Sequence, residues 1–128
     1  MSHFSQIKTQ IRNLDTLKSV LSDNGIDWKS GPVDVRGYRG QTFAADLAIE
    51  QDNGYDIGFR WNESQYELVA DLQYWKQPLS VEGFLNRITQ GYACKTVVAA
   101  TAEQGFQVAK QQRNDDGSVR LVLQRWGA

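Results

Sequence analysis

The sequence predicts an α+β domain: an antiparallel sheet of five or six strands, with a three-strand meander at its centre, covered on one face by helices. Three observations carry that reading. Apolar and polar residues alternate in three consecutive runs between residues 43 and 74, separated by short polar turns. Two other segments repeat apolar residues at helical spacing, one after Asn13 and one after Ser80. Asn53-Gly54 and Asp116-Gly117 each stand between alternating runs, as hairpin turns do.

The bulk properties fit one domain spanning residues 1–128. A chain of 128 residues with 41% hydrophobic and 23% charged residues has ordinary globular composition. The net charge of −1 offers no overall field for nucleic acid or an anionic membrane, so any such binding needs a local patch. The single cysteine, Cys94, cannot form an internal disulfide or a C-x-x-C site, which fits a reducing compartment. The opening MSHFSQIKTQ lacks the apolar run of a signal peptide, and no stretch approaches the ~18 uninterrupted apolar residues of a membrane span. The expectation is a soluble, unexported protein.

Along the chain, β-branched residues at 7, 9 and 11 alternate with polar ones and predict a strand from about 4 to 12, although Phe4, Ile7, Ile11 and Leu14 also fit a helical stripe. Asn13 reads as a helix N-cap with Asp15 in the first turn. Leu14, Leu17, Val20 and Leu21 form the buried stripe, and Asn24-Gly25 is the stop. Residues 27–42 hold Gly31, Pro32, Gly37 and Gly40, which is loop chemistry with room for a short strand. Phe43, Ala45, Leu47 and Ile49 then face one way, Tyr55, Ile57, Phe59 and Trp61 follow the first turn, and Tyr66 to Tyr74 alternate after the second. Pro78 ends the sheet. Val81, Phe84, Leu85, Ile88 and Tyr92 make a second helical stripe, but Val97 falls almost opposite it, which predicts a break near Gly91 before helix resumes to about Gln104. Gly105 ends that helix, and a final hairpin turns Val119, Leu121 and Leu123 inward. The stretches LKSVLSDNGIDW and VVAATAEQGFQV echo each other as helix, glycine, strand start.

Motif chemistry is sparse. No phosphate-binding glycine loop, dinucleotide fingerprint or nucleophile elbow is present. His3 has no second histidine with which to share a metal, and Cys94 reads as a small core thiol. No catalytic, metal or cofactor residue is assigned. Asp46, Asp56 and Asp71 fall on the polar side of neighbouring predicted strands with Arg60 at hand, an arrangement that suits an ion-paired face or a cation or proton site. Tyr74 and Trp75 would point to opposite sides of one strand, so one of them covers a second layer or anchors an interface beside Lys76. Arg36, Tyr38 and Arg39 in VDVRGYRGQT resemble segments that stack bases and grip phosphates, yet Asp34, Asp46 and Glu50 surround them and deny the basic bias that nucleic-acid surfaces carry.

Taken together, MSHFSQIKTQIRNLDTLKSVLSD, VDVRGYRGQT, NGYDIGF, YELVADLQYW and GSVRLVLQRW resemble, in order and over essentially the whole chain, the plastid and cyanobacterial family called hypothetical chloroplast reading frame thirty-five. That resemblance implies a small soluble protein of the cyanobacterial cytosol or plastid stroma and carries over no catalytic residue or cofactor. The resemblance further implies relatives often encoded near AAA-type ATPases and small ferredoxin-like proteins, and with them a role that depends on a protein partner. The leading expectation is a non-enzymatic binding or accessory module whose contact surface is Arg36, Tyr38 and Arg39 with Trp75 and Lys76. The rivals are a small ligand- or metal-binding enzyme using Asp46, Asp56, Asp71 and Arg60, and a weak RNA or DNA binder acting through the Arg36–Arg39 loop.

Overall fold

A computed structural model of the chain describes residues 3–115 and 118–125. Five strands form one antiparallel sheet in the order β1-β5-β4-β3-β2, where β1 is Ser5–Lys8, β2 Lys29–Arg36, β3 Thr42–Ile49, β4 Ile57–Trp61 and β5 Tyr66–Ala70. The meander β3-β4-β5 lies at the centre as the alternation predicts, with β1 added beside β5 and β2 beside β3. Two helices, α1 (Leu14–Asp23) and α2 (Val81–Glu103), pack on one face. The last two strands, β6 (Phe106–Arg113) and β7 (Val119–Arg125), pair with each other in a second, two-stranded sheet.

Helix α1 follows its sequence signals. The Asn13 side chain accepts the Thr16 N–H at 3.0 Å, Asp15 sits in the first turn, and Gly25 takes φ 71° just after the end. Leu17, Val20 and Leu21 are fully buried against Leu47, Ile49, Ile57, Phe59 and Leu68 of the sheet and against Phe84 and Ile88 of α2. The Tyr92 hydroxyl of α2 accepts the Arg12 and Asn13 N–H groups at 3.2 and 3.0 Å, tying the two helices together at their polar edge.

Four expectations are corrected. The strand expected over residues 4–12 is the shorter β1. The expected loop before Phe43 is instead largely the eight-residue β2. Its glycine and proline are accommodated by an irregularity in register between Ser30 and Val33, where bulged strands tolerate proline. Gly31 is required there because a Cβ would lie 2.6 Å from the Ala45 and Asp46 carbonyl oxygens. The third strand of the meander stops at Ala70, because the Asp71 side chain caps a 3-10 turn at Leu72–Tyr74 by accepting the Gln73 N–H. Tyr74 and Trp75 therefore do not share a strand. Finally, α2 runs unbroken through Gly91. The stripe shifts because the helix changes neighbours: its first half lies on the core, whereas Cys94 and Val97 face Val119 and Leu121 of the hairpin. Gly91 marks the close approach of α1, since a Cβ would sit 2.8 Å from Val20 Cγ1.

The sheet also curls. A Cβ on Gly58 of β4 would lie 2.3 Å from Val35 Cγ2 of β2, although β3 separates those strands in the ladder. Phe4, just before β1, packs edge-on against Phe43 of β3 with ring centroids 5.7 Å apart and closes on Gly37. The arm of the β2–β3 hairpin thus folds over the second face of the sheet around Val35, Ala45 and Ala48. That curl carries Arg36 and the loop after it to the end of β4.

Candidate functional site

The site is built where the β2–β3 loop, the β3–β4 loop and the turn after β5 meet. Arg36 ends β2, and Asp56, only 3% exposed, precedes β4. The Asp56 carboxylate accepts three hydrogen bonds from Arg36: backbone N–H at 2.9 Å, Nε at 2.8 Å and Nη2 at 2.9 Å. The Asp56 N–H in turn donates to the Arg36 carbonyl at 3.0 Å. This bidentate fork, with backbone bonds on both sides, holds the loop root to the sheet. The hydrogen bond and charge of Asp56 raise the Arg36 pKa above its ordinary value.

Beyond Arg36 the chain makes a 3-10 turn at Tyr38–Gly40, closed by Gly37 N–H to the Gln41 carbonyl at 2.8 Å and Gln41 N–H to the Tyr38 carbonyl at 3.1 Å. Inside it Arg39 has φ 53° and ψ 41°, a left-handed conformation that a residue with a Cβ rarely adopts. Its guanidinium lies over the Tyr38 ring, 5.2 Å from the centroid. Tyr38 is in turn nearly parallel to Tyr74 at 6.2 Å, and Tyr74 to Tyr55 at 4.0 Å. Three tyrosines from three loops and one arginine therefore form a ladder that ends in an exposed cation.

Polar groups fix the ladder from below. Gln51 is 6% exposed. Its side-chain amide donates to the Tyr55 and Tyr74 carbonyls, while its oxygen accepts the Lys76 N–H at 2.7 Å and the Gln77 amide at 3.1 Å. Asn53 donates to the Tyr74 carbonyl at 2.9 Å and accepts the Tyr55 N–H at 3.0 Å. Burial raises the Tyr55 pKa, with Tyr74 and the charge of Asp71 adding to it. Asp71 is 4% exposed, and its Oδ2 has no hydrogen-bond partner among the described residues.

The structure thus brings together Arg36, Tyr38, Arg39, Asp56 and Asp71, residues that the sequence places in two separate groups. Asp56 and Asp71 are buried just outside the strands and do not lie on a solvated polar face with Arg60. Asp46 is elsewhere, accepting the Trp61 N–H at 2.7 Å, and Arg60 stacks 5.0 Å from the Phe43 centroid. Trp75 packs edge-on against Phe84 at 5.3 Å and donates its indole N–H to the Leu79 carbonyl at 2.8 Å, so it closes the core beneath α2. Lys76 pairs with Asp52 at 2.8 Å and holds that carboxyl below its ordinary pKa. Sequence reasoning missed Gln51, Tyr55 and Asn53. The one signal for them is Asn53-Gly54, which marks the turn that gathers them.

No group of three or more histidine, cysteine or acidic residues poised for a metal occurs among the described residues. Among them, too, no helix is long and apolar enough to cross a membrane.

The family described as "Protein of unknown function (DUF1257)" matches residues 20–122. The chain belongs to this family. Relatives of the chain each bear the name "Uncharacterized protein ycf35", which agrees with the plastid reading-frame resemblance. The protein from Guillardia theta is 47% identical over 98% of both chains. Those from Cyanophora paradoxa and Pyropia yezoensis are 43% and 42% identical over the same share. The family match spans the site from Arg36 to Lys76 and most of the hairpin. No solved structure matches the chain.

Proposed function

We propose that this chain is a non-enzymatic accessory module of the cyanobacterial cytosol or plastid stroma that acts by binding a protein partner through the Tyr38–Arg39 loop. The observation that carries the reading is the left-handed backbone of Arg39, held on a ladder of three tyrosines with its guanidinium facing solvent. Backbone strain in a residue with a side chain persists only where its surroundings enforce it, and such residues cluster at recognition sites. Arginine and tyrosine supply a disproportionate share of interface energy, and a loop already held in place loses little entropy on binding. An AAA-type ATPase or a ferredoxin-like protein is the partner class that the family resemblance implies.

Capture from native cells tests the reading with wild-type and Arg39→Ala baits of equal thermal stability. The expected result is a protein retained by the first bait and lost by the second; equal recovery by both counts against the loop.

A ligand-binding reading draws on Asp71, whose buried Oδ2 is unpaired beside Tyr55. A thermal-shift screen of metabolites and cations supports it only if a hit disappears in Asp71→Asn.

A further inference from the structure

The hairpin β6–β7 is the least covered part of the molecule. Phe106, Val108, Val119, Leu121 and Leu123 are only half-buried, Val122 is 39% exposed, and no described residue of the two strands is buried. A two-stranded ribbon is marginal in water without further strands or a covering layer. Helix α2 covers one face of the ribbon, against β6 and against Val119 and Leu121 of β7, and the outer edge of β7 has no strand paired to it among the described residues.

We propose that β7 is a self-association edge, pairing antiparallel with β7 of a second copy about a two-fold axis at Val122, to give a continuous four-stranded sheet. The sequence of β7 is complementary to itself in that register. Leu121 meets Leu123 of the second copy, Val122 meets its own counterpart, Arg120 meets Gln124 and Val119 meets Arg125. Cross-strand apolar pairs stabilise a sheet, and like charges placed directly opposite destabilise it. The two strands carry Lys110, Arg113, Arg120 and Arg125 and no acidic residue, so most encounters between two hairpins would repel. This register opposes no arginine with another. The β6 edge is less suited: its ladder is interrupted between Val108 and Lys110, and its second half, Lys110 to Arg113, is polar throughout. The interface is isologous, so association closes at two copies. The proposal does not depend on the Tyr38–Arg39 loop.

Sedimentation of the full chain over a range of concentrations tests the proposal. Wild type should shift from one mass toward twice that mass as concentration rises. Val122→Glu sets two carboxylates opposite each other at the axis while facing Lys110 within its own chain, and should stay at the single mass with an unchanged circular dichroism spectrum. Gln112→Glu adds the same charge on β6, facing Arg120 within its own chain, and should still double. Val122→Cys should form a disulfide-linked pair on mild oxidation, whereas wild type, with Cys94 alone, should not. A wild type that keeps the single mass at every concentration overturns the proposal. So does a doubled mass that survives Val122→Glu, or a Val122→Cys chain that does not cross-link.

Discussion

The curl of the sheet places Arg36 against Asp56, and one contact controls that curl: Val35 over Gly58. A methyl on Gly58 would sit 2.3 Å from Val35 Cγ2 and 3.1 Å from the Ala45 Cβ, both inside a buried cluster. Carbon atoms pack best at ~3.5–4.0 Å, so the first contact is short by more than an ångström. Overpacking of this kind costs about 1–3 kcal/mol, offset by the ~0.5–1 kcal/mol that alanine gains over glycine within a strand. Gly58→Ala should therefore lose about 2 kcal/mol. Val35→Ala removes two methyl groups from a side chain with 0% exposure and should lose about 2 kcal/mol by lost transfer energy plus cavity. In the double variant the new methyl fills the space that Val35 vacates, so the loss should be about 1–2 kcal/mol and not the ~4 kcal/mol of the sum. At about 3–5 °C per kcal/mol for a chain of this size, the gap between coupled and additive behaviour is about 10 °C in Tm. Thermal unfolding followed by circular dichroism reads this directly. Additivity of the two losses would show that β2 does not lie over β4 and that the curl is wrong.

Other outcomes follow from the same structure. Gly91→Ala should fail to deliver the ~1 kcal/mol that replacing a mid-helix glycine normally gives, because the methyl meets Val20 at 2.8 Å; the denaturant midpoint should fall. Arg36→Ala leaves a buried carboxylate without its fork and should lower Tm clearly, whereas Arg39→Ala, whose side chain is exposed, should leave Tm nearly unchanged. Tyr55 and Tyr66 have pKa values raised above the ordinary 10.0 by burial first. The unfolded chain then loses those protons before the folded one, so stability is intact below the ordinary value and falls as pH rises through the raised ones. Denaturant midpoints across that alkaline range should decline less steeply in Tyr55→Phe.

The sequence was legible where a local pattern had one cause. The alternation from Leu47 to Ala70 reports burial on one side of a sheet, and Asn13 and Ser80 cap helices through bonds within their own turn. It was misleading where one pattern had two causes. The stripe of α2 rotates because the helix leaves the core for the hairpin, which periodicity cannot distinguish from a break at Gly91. Gly31 and Pro32 signal a loop, yet a close backbone approach and a bulge keep them within β2. The site residues Arg36, Asp56 and Asp71 stand out by type. Their grouping does not, because Arg36 reaches Asp56 twenty residues away through the curl, and Asp71 is buried by a cap that ends its strand early. Gln51 carries no burial signal at all: a glutamine after a strand reads as turn, and only the carbonyls converging on it show otherwise.

The claim that the Tyr38–Arg39 loop is the contact surface is tested most directly by a photo-reactive residue introduced at position 39 in living cells. The account predicts one discrete protein adduct on illumination and none from the same residue at the exposed position 27, in the loop between α1 and β2. No adduct at position 39, or the same adducts at both positions, would contradict it.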